Sequence, residues 1–146
     1  MAQNIIHSLN AEACISHSTV AKEKNKTFRI ECNNKLKVFK IHIDGCFIKG
    51  KQIRCDYAFI IPENNTYFFV ELKSEDIEHA FNQIIETINH FNKIQRLDKN
   101  NIEGYIISSS VPTSANLKFQ ELIIKFKKFH GKSLARYTNQ GIKTVK

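Results

Sequence analysis

Residues 52–73, QIRCDYAFIIPENNTYFFVELK, constrain the chain more than any other stretch. Two apolar runs flank Pro62-Glu63-Asn64-Asn65-Thr66, a composition that favours a turn, so the segment reads as a β-hairpin. Asp56, Glu71 and Lys73 sit on these apolar strands. A charge on a half-buried or buried strand costs free energy unless it is paired or bound to a metal. Side chains alternate along a strand, so Glu71 and Lys73 share one face of the sheet. With the fold-back at residues 63–65, Asp56 falls opposite or diagonal to Glu71, provided the register does not slip by one residue.

Two carboxylates beside a backbone carbonyl, that of Leu72, form a hard oxygen set suited to Mg²⁺ or Mn²⁺. An ion there would activate water and polarise a phosphodiester, with Lys73 placing a compact positive charge beside the phosphate. The plain structural alternative pairs Asp56 with Lys73 at a sheet edge and turns Glu71 to solvent.

The rest of the chain supplies a frame. Ile77, Phe81, Ile84, Ile88 and Phe91 recur at spacings of four and three, predicting a helix from about Asp76 to Arg96, with Ser74 as its N-cap. Residues 2 to about 20 carry apolar positions at helical spacing; Glu12 on that helix is a possible outer-shell carboxylate. Residues 27–32 and 36–43 read as two strands joined by Asn33-Asn34-Lys35, and Asp44-Gly45 as a turn. Gly104 to Ser109 reads as a strand reached by a right-handed crossover and paired in parallel. A second helix from about Ser114 ends at Gly131, and a strand over 133–138 leads to a basic tail, 139–146. The expected order is α-β-β-β-β-α-β-α-β in one domain spanning 1–146.

The chain has 146 residues, long enough for one core without staples. Its net charge of +8 favours polyanionic partners, nucleic acid first. Lys35, Lys37 and Lys40 on one strand, and Lys118, Lys125 and Lys128 on the last helix, are candidate phosphate-backbone contacts. Cys14, Cys32, Cys46 and Cys55 lack Cys-x-x-Cys spacing and the N-terminus lacks a basic, apolar leader, so reduced thiols in a cytoplasmic protein are expected. His42, Cys46 and Cys55 are too irregularly spaced for a zinc site. No apolar run approaches a membrane span. Ser108 to Ser110 lack the Gly-x-Ser-x-Gly elbow of a hydrolase, five glycines form no phosphate loop, and His79 and His90 read as surface histidines.

The pattern resembles the PD-(D/E)xK nuclease superfamily: an acid on one hairpin strand, an acid-x-Lys triplet on the next, then a helix. Here these are Cys55-Asp56 and, after fourteen intervening residues, Glu71-Leu72-Lys73, the one Glu-x-Lys in the chain. The resemblance implies an α/β fold with a mixed central sheet flanked by helices. It implies an αβββαβ core over about residues 5–110, with an added helix and strand over 114–138. It further implies a metal-dependent endonuclease, acting most readily on DNA, with Asp56, Glu71 and Lys73 in the catalytic set. Gln83 stands at the position of the Gln in the superfamily's Gln-x-x-x-Tyr helix pattern, while Thr87 replaces its Tyr and Cys55 replaces the proline before the first acid. A homodimer, or a place in a larger nuclease complex, is implied too. The alternatives are a non-catalytic nucleic-acid-binding or assembly subunit, and a protein-binding module.

Overall fold

A computed structural model describes residues 2–32, 36–72, 76–109 and 113–145. The hairpin is at its centre. Strand β5 (Tyr57–Ile61) and β6 (Thr66–Glu71) pair antiparallel around a 3-10 turn, Pro62–Asn64, that ends at Asn65 in the left-handed region, φ 53°. Proline presets the first turn position and asparagine tolerates the last, so the turn is written into the residues.

Neighbouring elements build outward from this pair. On one side β4 (Phe39–His42) runs antiparallel to β5, and the two-residue β1 (Ile15–Ser16) lies outside it. On the other, helix α2 (Ile77–Ile94) carries the chain over to β7 (Ile102–Ser108), parallel to β6. Helix α3 (Thr113–Phe129) then leads to β8 (Ser133–Thr138), parallel to β7. The resulting six-stranded mixed sheet has the order β1-β4-β5-β6-β7-β8.

Both sheet faces are covered, which explains why β5 and β6 are apolar without interruption. Ala58, Ile60 and Phe69 face the helix layer, against Ile5 and Leu9 of α1 (Ala2–Leu9), Phe81, Ile84 and Phe91 of α2, and Phe126 of α3. Phe59, Phe68 and Tyr105 face a second sheet of β2 (Val20–Glu23), β3 (Lys26–Cys32) and β9 (Gln140–Val145), in the order β2-β3-β9. Phe28 of β3 meets the rings of Phe59 and Tyr105 at 5.9 and 4.7 Å.

Four expectations are corrected. The N-terminal helix stops at Leu9, where Asn10 turns left-handed (φ 51°); the Ser- and Thr-rich segment that follows forms a 3-10 turn, Glu12–Cys14, and two short strands. Strands β3 and β4 are not a hairpin, because the apolar face of β3 buries itself across the layer boundary while β4 pairs with β5. The basic tail is strand β9, parallel to β3 over its whole length. Cys14 and Cys46 form a disulfide with Cα atoms 5.8 Å apart, because the β1–β4 pairing brings residues 12–14 beside the loop that follows β4. Cys32 and Cys55 are free thiols. Among the described residues no helix is long and apolar enough to cross a membrane.

Ser74 lies outside the described residues; the N-cap is Asp76, whose carboxylate accepts from the His79 N–H at 3.1 Å. Gly131 does follow α3, but with no left-handed φ. A Cβ there would lie 2.5 Å from the Phe126 ring and 2.8 Å from the Ile102 carbonyl, so close packing requires this glycine.

Candidate active site

The hairpin register answers where Asp56 points. Tyr57 pairs with Val70, so one step further Asp56 stands opposite Glu71, and its N–H donates to the Val70 carbonyl at 3.2 Å. By alternation both acids belong to the row of Ala58, Ile60 and Phe69 that faces the helices. The row is apolar until the carboxyl end of β6, where the chain leaves for α2. Open α/β sheets bind ligands outside the carboxyl ends of their strands, where connecting segments leave a crevice.

A cleft of ≈450 Å³ opens there, and its walls include Asp44, Arg54, Asp56, Glu71, His79 and Gln83. Asp56 and Glu71 are 2% and 1% exposed, which excludes the arrangement with Glu71 in solvent. The Leu72 N–H donates to Asp56 Oδ2 at 2.8 Å and so orients that carboxylate, while the Leu72 side chain is buried in the opposite layer. The facing carboxylate oxygens of Asp56 and Glu71 make a hard donor set of the kind that Mg²⁺ or Mn²⁺ takes. Among the described residues no group of three or more His, Cys, Asp or Glu converges, so these two acids are the facing carboxylate pair that the described cleft offers.

Helix α2 holds this edge in place through two polar residues. Gln83 Nε2 donates to the Arg54 carbonyl at 3.1 Å, and Gln83 Oε1 is buried with no hydrogen-bond partner among the described residues. The Thr87 hydroxyl donates to the Gln83 carbonyl and accepts from the Cys55 N–H, both at 2.8 Å. Thr87 thus has a positive reason to stand where the resemblance expects a tyrosine: it ties the residue before Asp56 to the helix. Burial pushes the Cys55 thiol well above its ordinary range, and the fields of Glu71 and Asp56 push it further while Thr87 opposes them. Cys55 is therefore a buried, unreactive thiol, and with Cys46 in a disulfide the His42, Cys46, Cys55 set binds no zinc.

Other predicted residues divide. Lys73 and Lys35 lie outside the described residues. Glu12 is exposed on its 3-10 turn and is absent from the cleft wall, because helix α1 ends before reaching it. Lys37 and Lys40 lie over the rings of Phe39 and Tyr57, at 5.5 and 4.8 Å; burial lowers the Lys40 pKa, against a smaller opposing field from Glu23. Lys118 pairs with Glu78 at 3.0 Å and with Glu121 at 3.8 Å, so acidic neighbours already offset its charge. Lys125 and Lys128 lie over Phe81 and Phe129. Ser108 is buried at the end of β7, accepting from Arg136 at 3.5 Å, with no histidine in that contact.

Sequence reasoning missed Arg54, Asp44 and His79 as cleft residues. The available signal for Arg54 was its two-residue spacing from Asp56, which on extended chain puts both side chains on one side. Asp44, read as a turn residue, accepts from Arg54 Nε at 2.8 Å. No protein-family model, curated protein or solved structure matches the chain.

Proposed function

We propose that the protein is a metal-dependent nuclease that hydrolyses phosphodiester bonds, DNA being the first substrate to test. One observation carries the reading. Asp56 and Glu71, on different strands and separated by fourteen residues, stand opposite one another, both buried, on the wall of a single cleft. Two acids brought face to face on a cleft wall place a pair of hard oxygen donors where a ligand can enter, the donor chemistry that Mg²⁺ and Mn²⁺ take.

In this reading Asp56, Glu71 and the Leu72 carbonyl would hold Mg²⁺ or Mn²⁺, which would supply Lewis-acid polarisation of the phosphodiester and a lowered pKa of water. The chain does the rest. The Leu72 N–H keeps Asp56 in its rotamer, Gln83 and Thr87 keep the strand end against α2, and Lys73 offsets charge on the pentacovalent phosphate. The antiparallel β4-β5-β6 unit, followed by α2 and the parallel β7, supports the finer nuclease-like reading of the core.

Supercoiled plasmid incubated with protein and Mn²⁺ or Mg²⁺ tests it. Nicking by wild type is expected, with loss of at least ~100-fold in Asp56→Asn and in Lys73→Ala, the scale of removing one transition-state contact. Plasmid that stays intact with wild type, yet shifts in a low-salt gel, would mark a non-catalytic nucleic-acid-binding subunit instead.

A further inference from the structure

We infer that Arg54 is the phosphate-binding residue of this cleft, gripping the nucleic-acid backbone beside the bond that lies over Asp56 and Glu71. The inference rests on the nuclease reading and deepens it.

Donor accounting leads there. A guanidinium has five N–H donors in a rigid fork. Nε–H goes to Asp44 Oδ1 at 2.8 Å, and the two Nη1 hydrogens go to the carbonyls of Gly50 at 2.5 Å and Gln52 at 3.0 Å. Nη2 makes no hydrogen bond among the described residues. The side chain is only 17% exposed, so this group is held at the cleft and does not wave in bulk water. Three contacts fix Nε and Nη1, Gln83 fixes the Arg54 backbone, and Nη2 is left for a ligand oxygen.

The charge of the cleft points to the ligand's chemistry. The described wall carries Asp44, Asp56 and Glu71 beside two cations, Arg54 and the exposed Lys51, and Arg54, anchored by three hydrogen bonds, is the one that offers a polyanion a fixed positive group. Asp44 neutralises part of the Arg54 charge but engages Nε alone, which orients the guanidinium without occupying Nη2. An Nη2 N–H held in this way donates a charge-assisted hydrogen bond to a phosphate oxygen from a fixed position, which a lysine ammonium on its flexible stem does not offer. Gln83 emerges as a positioning residue for Arg54, and its buried Oε1 is a second polar atom at the same wall.

The test measures binding of a fluorescein-labelled duplex oligonucleotide by anisotropy in Mn²⁺, all variants being made in an Asp56→Asn background so that the probe stays intact. Arg54→Gln is expected to raise Kd roughly tenfold, the loss of one charge-assisted contact. Arg54→Lys should recover only part of this. Lys49→Gln removes the same charge from the exposed part of the same loop and should change Kd less than about twofold. Asp44→Asn, which keeps the guanidinium but loses its anchor, should fall between. Equal weakening by Lys49→Gln and Arg54→Gln, or an unchanged Kd in Arg54→Gln, overturns the assignment. Thermal melts identify any variant that fails to fold; should Arg54→Gln do so, unchanged Kd in both Arg54→Lys and Asp44→Asn overturns it equally. Cleavage by a wild-type chain whose Arg54→Gln variant binds normally rejects the Arg54 contact alone. Arg54-dependent binding by a chain that never cleaves rejects the nuclease reading and leaves the contact standing.

Discussion

Thr87 shows how one hydroxyl couples helix to site. Replacing it with valine keeps the shape but leaves the buried Cys55 N–H without its acceptor. Thr87→Val is expected to cost about 1–3 kcal/mol, read as a lower urea midpoint, and to slow cleavage because Asp56 follows Cys55 directly. An unchanged midpoint would mean another acceptor takes the N–H. His130 and His90 give a pH dependence whose sign is set by burial. Desolvation lowers both below the ordinary 6.5, with Lys125 and Lys93 as the lesser causes. The unfolded chain therefore takes up protons first as pH falls. Stability is full above about 6.5 and declines as pH drops through that value towards the folded ones. The Tm measured across this range should fall on acidification, and His130→Gln should flatten the decline; a Tm that rises on acidification would contradict the sign.

Among the elements, the loop over residues 43–54 is pinned at two points, by the Cys14–Cys46 disulfide and by the Asp44–Arg54 pair. The bridge closes a separation of 32 residues, for which chain-entropy reasoning gives ~3–4 kcal/mol of stabilisation. Reduction with a phosphine should lower the melting temperature, and mass spectrometry after alkylation without reduction should label Cys32 ahead of Cys55, leaving Cys14 and Cys46 unlabelled. Rapid labelling of Cys14 in the unreduced protein would refute the bridge. Sequence spacing offered no hint of this pair, because the contact depends on β1 docking against β4. The hairpin and α2 were legible for the opposite reason: turn residues and a 3.6-residue apolar period are local signals.

For the whole molecule, β9 closes the second layer. Without it, β3 keeps only β2 as neighbour, and a two-stranded ribbon over an aromatic core is marginal. Ending the chain after Thr138 should lower Tm by on the order of 10 °C, equivalent to ~3 kcal/mol at this size, or abolish cooperative unfolding. A truncated chain that melts like the full one would show that the small sheet needs no third strand. The net charge of +8 acts at this scale too: nucleic-acid affinity is expected to fall linearly in log Kd against log salt, with a slope near 0.9 per phosphate neutralised. A slope near zero would speak for a partner other than nucleic acid.

Local chemistry in the sequence determined the turn at Pro62–Asn64, the central helix and the strand that follows it, and it put two acids on the two strands of one hairpin while leaving their register open. These rest on contacts between residues near in the chain, whose patterns repeat at the period of their own element. Tertiary structure alone decided that β3 leaves β4 for another sheet, that the C-terminal residues become β9, that Cys14 meets Cys46, and that Arg54 shares a cleft with Asp56 and Glu71. Each of those joins segments through the burial of a face whose partner lies elsewhere in the chain, and apolar burial is non-directional, carrying no address in the residues that undergo it.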